Sequence, residues 1–185
     1  MLLAQVLDDV SSFHKDLGGG FRISLVHSPR DAFGPYLSQD GLIQPLGEVA
    51  ASAFGVERVG DIKGHAVDVG ALAVLRGLRG VILGFASATM RPELDLLYLV
   101  GEVIHPAFQG QGLGSRVLDV LLETLPSEWV GFTTQNPRMF CSLHSLMRKM
   151  YPSPGAPIIP ADLRETGVIL RGEYEGELDP ETFIV

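Results

Sequence analysis

The residues of this chain whose types and spacing bear most directly on chemistry are Gln109-Gly110-Gln111-Gly112-Leu113-Gly114-Ser115. An apolar run from Leu96 to Ile104 precedes them and an amphipathic run from Val117 to Leu125 follows, so the segment reads as strand, glycine-rich turn and helix start. The first N–H groups of a helix have no intrahelical acceptor and lie at the positive end of its dipole. Glycines let an anion reach that backbone with no Cβ in the way. A phosphate-bearing ligand is the expectation that follows.

Two familiar phosphate sites do not fit. A P-loop needs Lys-Ser or Lys-Thr after its last glycine, whereas Gly114 is followed by Ser115-Arg116. A dinucleotide fingerprint spaces its glycines Gly-x-Gly-x-x-Gly directly after the strand. Here the spacing is Gly110-x-Gly112-x-Gly114, displaced by Pro106 and its neighbours, and the next apolar strand, Trp129 to Thr134, holds no acidic residue for a ribose.

The pattern that does fit is Gln109-x-x-Gly112-x-Gly114 after Ile104-His105-Pro106. It resembles the acyl-CoA-binding motif of the GNAT superfamily of N-acyltransferases: Gln or Arg, two residues, Gly, one residue, then Gly or Ala, following a strand and often a proline. The resemblance covers roughly Phe21 to Met150. It implies an α/β (α+β) fold, a mixed, mostly antiparallel sheet flanked by helices with splayed central strands. It also implies acetyl-CoA as co-substrate, with no metal, and a primary amine on a small molecule or peptide as acceptor. Transfer would be direct, in a ternary complex. By position, the backbone of Val103 and Ile104 would meet the pantetheine and acyl carbonyl. Gln109, Gly110, Gln111, Gly112, Leu113, Gly114 and Ser115 would hold the pyrophosphate, and Asn136 would contact the cofactor. The tyrosine that the family often places seven residues after that asparagine is Leu143 here. That departure leaves a second reading open, an acyl-CoA-binding sensor or structural module without turnover.

Strict alternation along the strand puts Leu94, Leu96, Tyr98, Val100, Glu102 and Ile104 on one face. Glu102 is the carboxylate among these apolar neighbours, and burial would raise its pKa into the range of a general base close to the acyl position. Tyr98 reads as a core residue, although some family members carry a catalytic side chain there. His144 flanks Leu143 at the edge of an apolar helical stripe and is the candidate proton donor to the departing thiolate; solvent is the other source. His105 is expected to turn away from the acyl site. Cys141, next to the stripe without His or Asp company, reads as packing.

These groups need elements to position them. Leu2 to Leu17 has helical spacing and stops at Gly18-Gly19-Gly20; Phe21 to Val26 alternates as a strand; Pro45 to Phe54 favours a helix stopped at Gly55. Ala71 to Arg76 and Val81 to Thr89 form a hairpin, and a turn at Arg91-Pro92-Glu93 leads into a long strand, Leu94 to Ile104. Pro137 starts a helix whose apolar stripe runs from Met139 to Met150. The proline-rich segment 151–160 is expected to be a loop, and 166–176 a last strand, centred on Val168 to Tyr174, that could pair across a homodimer.

At 185 residues and 46% hydrophobic content, one domain, 1–185, is expected, with its core at about 21–150. No apolar run reaches membrane-span length and Met1-Leu2-Leu3 lacks the basic start of a signal peptide, so no membrane is expected. The single cysteine excludes an internal disulfide and suits the cytoplasm. A formal net charge of −8 argues against a nucleic-acid partner and suits a cationic amine.

Overall fold

Five antiparallel or parallel pairings join six strands in the spatial order β1-β2-β3-β4-β5-β6. In this computed structural model the described residues are 3–36, 43–55, 62–132, 137–151, 159–161, 163–164 and 166–167. Helix α1 (Leu3–Val10) leads into β1 (Phe13–Gly18) and β2 (Phe21–His27), followed by α2 (Pro29–Phe33), α3 (Gln44–Phe54) and α4 (Ile62–Ala66). Then come β3 (Ala71–Arg76), β4 (Ile82–Arg91), β5 (Leu96–Ile104), α5 (Leu113–Thr124), β6 (Trp129–Phe132) and α6 (Pro137–Leu146). Every neighbouring pair is antiparallel except β5 with β6, which is parallel. The chain divides into two units, Met1–Ser142 and Leu143–Val185, and the sheet lies in the first.

The expected helix over Leu2 to Leu17 is two elements. Helical spacing of buried Leu3, Val6 and Leu7 ends at Val10. Beyond it Lys15 and Leu17 alternate with exposed neighbours, and Lys15 reaches Glu123 of α5 at 2.7 Å. Gly18, Gly19 and Gly20 have φ of 75°, 62° and 82°, a left-handed run that closes a hairpin onto β2 instead of capping a helix.

Each face of the sheet has its own cover. Val26, Leu72, Val74, Phe85 and Val103 form one core with Leu7, Phe33, Leu46 and Val49 of α1 to α3. Alternate residues such as Ile23, Leu25, Ala73 and Leu75 face the other way, where α5 packs through Leu113, Val117, Leu118 and Leu121. Between β4 and β5 strict alternation fails once. Ser87 pairs with Gly101 but Ala88 pairs with Leu99, so Val100 has no partner on β4 and forms a bulge. One extra residue reverses the faces beyond it. Glu102 and Ile104 therefore share the α5 face with Leu97 and Leu99, while Leu96 and Tyr98 go with Gly101 and Val103, a correction to the alternation expected from sequence.

Helix α5 begins at Leu113, four residues before the amphipathic run suggested, which puts Gly114 and Ser115 within its first turn. Of the strand expected over 166–176, Thr166 and Gly167 are helical, as are Ala161, Leu163 and Arg164. The remainder of that strand, most of the proline-rich segment, and Asn136 lie outside the described residues. Among the described residues no helix is long and apolar enough to cross a membrane.

Candidate functional site

A cleft opens where β5, the glycine turn and the first turn of α5 meet. Glu102, Val103, Ile104, Gln109, Gly110, Gly112, Leu113, Gly114 and Ser115 line it, joined by Phe54 from α3 and by Arg138 and Met139 from α6. The turn is assembled locally. His105 Nδ1 accepts the N–H of Ala107 at 3.2 Å and so caps a short helical turn at Pro106–Phe108, whose last residue, Phe108, also lines the cleft. Gln109 then returns to the strand, its Nε2 donating to the Ile104 carbonyl at 2.9 Å. That bond takes one of the two lone pairs of the carbonyl.

Gly110 and Gly112 have φ of 79° and 71°, and no atom lies within 4 Å of where a Cβ would project from either. Gly112 is also the N-cap of α5 and provides no side chain to its first N–H groups. The N–H groups of Leu113, Gly114 and Ser115 have no intrahelical acceptor and face an open cleft. Such a turn has the backbone donors that an anion would need.

Gly114 has a different reason to be glycine. A Cβ there would overlap the Glu102 carboxylate, so the bare backbone lets α5 approach β5. Glu102 has no hydrogen-bond or ion-pair partner among the described residues. Burial among apolar neighbours raises its carboxyl from 4.5 to about 6. The folded state then holds this proton more tightly than the unfolded chain, so stability falls as pH rises from 4.5 through 6. Above that range the ionised group costs at most about 2 kcal/mol. Glu102→Gln should leave stability unchanged near pH 4 and raise it at pH 8, lifting Tm by about 4–8 °C. Thermal melts of both proteins at the two pH values check this; an equal Tm at pH 8 would show that Glu102 is not desolvated.

Arg138 escaped the reading of the sequence. Its Nη1 donates to Gln109 Oε1 at 3.4 Å, which extends the link from the Ile104 carbonyl through Gln109 to α6. A signal was present: Arg138 is the second residue of α6, and a cation at a helix N-terminus opposes the dipole unless an anion is near. Tyr98 is buried, 5% exposed, as a core residue. Cys141 is exposed and not packed. Leu143 is buried, and His144, in the second unit, is exposed.

The sheet's parallel pair, β5 with β6, and the uncapped first turn of α5 beyond the end of β5 are the features that set this cleft apart. The chain belongs to the acetyltransferase (GNAT) family, whose model matches residues 47–139. Among solved structures it is similar to an acetyltransferase of the GNAT family from Streptococcus pneumoniae, at 12% identity, TM-score 0.50, over 76% of this chain and 98% of that one. An acetyltransferase from Trypanosoma brucei gives 12% identity and TM-score 0.48, over 72% and 96% of the two chains. The ribosomal-protein-S18-alanine N-acetyltransferase from Escherichia coli gives 15% and 0.44, over 72% and 86%. No curated protein matches the sequence.

Proposed function

We propose that this protein moves an acetyl group from acetyl-CoA to a primary amine, by direct attack in a ternary complex. The observation that carries the reading is the uncapped first turn of α5, with left-handed Gly110 and Gly112 opening into the cleft that β5 lines. The N–H groups from Gly110 to Ser115, with Gln111 among them, hold the pyrophosphate, and Arg138 adds a cation beside them. Asn136 is kept as a cofactor contact on the resemblance alone. The exposed ring of Phe54 and the Val103 and Ile104 stretch of β5 give the pantetheine arm an apolar wall. A backbone N–H of β5 polarises the thioester carbonyl as negative charge develops on its oxygen. The departing thiolate takes its proton from solvent, or from His144 if the substrate brings that side chain within reach. The amine belongs to a small molecule or a peptide, and the reaction is expected in the cytoplasm.

Glu102 meets this substrate on the α5 side of the strand. A bound phosphate repels an ionised carboxylate and raises its pKa further, so binding takes up a proton. Affinity for acetyl-CoA should therefore weaken as pH rises through 6 and beyond in the native protein relative to Glu102→Gln, a comparison that cancels the titration of the ligand's own phosphates. Titration calorimetry with acetyl-CoA between pH 5.5 and 8 reads both quantities. No binding below millimolar concentration would sink the proposal; a parallel pH dependence in the two proteins would remove only Glu102's part. A panel of primary amines screened for CoA release separates an enzyme from a module that binds without turnover.

A further inference from the structure

Strand β5 is buried at both ends and half-buried at Val100, Gly101 and Glu102. That opening coincides with the bulge at Val100 and with the last described pair to β6, Leu99 with Phe132. An acyl-pantetheine arm running from the first turn of α5 along Ile104 and Val103 would come to Glu102 on one face of the strand and Gly101 on the other.

Gly101 faces away from α5, toward α4. The position a Cβ would take on it lies 3.7 Å from His65 Nδ1 and 4.0 Å from Ser87 Oγ. Neither a positive φ nor a close contact demands glycine at this position. The absent side chain instead leaves room between the strand and the half-buried imidazole. Ser87 is wholly buried, and its hydroxyl has no hydrogen-bond partner among the described residues. Most buried hydroxyls have a partner, so an unpaired one 4.0 Å from the Cβ position of Gly101, next to the bulge, has bonding capacity to offer a ligand group. The two candidate bases near this opening lie on opposite faces of β5: Glu102 against α5, His65 on α4.

We propose that His65 is the general base of the acetyl transfer and that the amine approaches on the Ser87 and Gly101 side of the bulge; this rests on the acetyl-CoA reading above. The neutral amine nitrogen attacks the thioester carbonyl carbon and forms the C–N bond. The imidazole accepts the proton lost by that nitrogen. Collapse of the tetrahedral intermediate breaks the C–S bond, the thiolate leaves and is protonated by solvent, and His65 returns its proton to solvent. Imidazole suits this task because it accepts and releases a proton near neutrality.

Bromoacetyl-CoA tests the placement without knowledge of the acceptor. A nucleophilic nitrogen beside the acyl group displaces bromide from the α-carbon and leaves a covalent CoA adduct that peptide mapping locates. The expected result is one adduct per chain, on His65, suppressed by excess CoA. His65→Gln should bind CoA within about twofold of the native affinity, form no such adduct, and release CoA to any accepted amine about 100-fold more slowly or less. A CoA-protected adduct on another residue, no adduct despite binding, or native turnover in His65→Gln would overturn the assignment. Failure of the native protein to bind CoA at all would instead remove the acetyl-CoA reading on which it stands.

Discussion

Gly112→Asp should abolish measurable acetyl-CoA binding, with a loss of at least 100-fold, while the fold survives. Gly112 sits at φ 71° and ψ 8°, a conformation that aspartate and asparagine enter more readily than other residues, at a cost of about 1–2 kcal/mol. Nothing lies within 4 Å of the new Cβ, so the side chain enters the cleft without displacing protein atoms. Its carboxylate would stand where the phosphates are expected, at the positive end of α5, and occupy the N–H groups that should meet them. Gly112→Asn imposes the same backbone strain and nearly the same volume with no charge. The difference between the two variants in calorimetry is thus the electrostatic part of the loss, and it should amount to tenfold or more in Kd, about 1.4 kcal/mol. If both variants bind equally and only weakly, bulk alone accounts for the effect. If both bind as the native protein does, the first turn of α5 is not the anion site.

The second large effect is on stability. Gly84→Ala places a methyl group 2.5 Å from the Val103 carbonyl oxygen and 3.3 Å from the Ile104 Cα, both backbone atoms of the neighbouring strand β5. A side chain could rotate away; a paired strand cannot. Forcing β4 and β5 apart there should cost about 3 kcal/mol, near the upper end for overpacking, and lower Tm by about 6–12 °C. Gly101→Ala is the control on the same strand pair. Its Cβ would meet only contacts of 3.7 Å and beyond, so its stability should change by less than about 0.5 kcal/mol. Chemical denaturation of the two variants checks the contrast, and equal midpoints would contradict the register found between β4 and β5. Gly101→Ala also fills the space beside His65, so a slowed reaction in a stable protein would tie that space to turnover.

Much of the frame was legible in the chain. The hairpin of β3 and β4, the long β5, α3 and its stop at Gly55 all follow from periodicity and turn residues within ten or so positions. The end of the first helix at Val10 is not legible there, because a glycine run closes a hairpin as readily as it ends a helix. Only the pairing of β1 with β2 decides between them. His65 carried no local signal, since a lone histidine in a short helix looks like any other. It gains meaning only by standing beside Gly101, thirty-six positions later, and Ser87.

The shape of the glycine turn was determined by sequence alone, because its parts are local: glycines free to take positive φ, a helix N-terminus with unpaired N–H groups, and a glutamine five residues from the carbonyl it meets. The tertiary structure decided which groups surround the rest of the site. An unpartnered Val100 turns Glu102 toward α5 and Gly101 toward α4, and no residue pattern within β5 discloses that extra count. Side-chain direction along a strand is the sum of its register. One bulge, set by pairing with a distant strand, reverses everything beyond it.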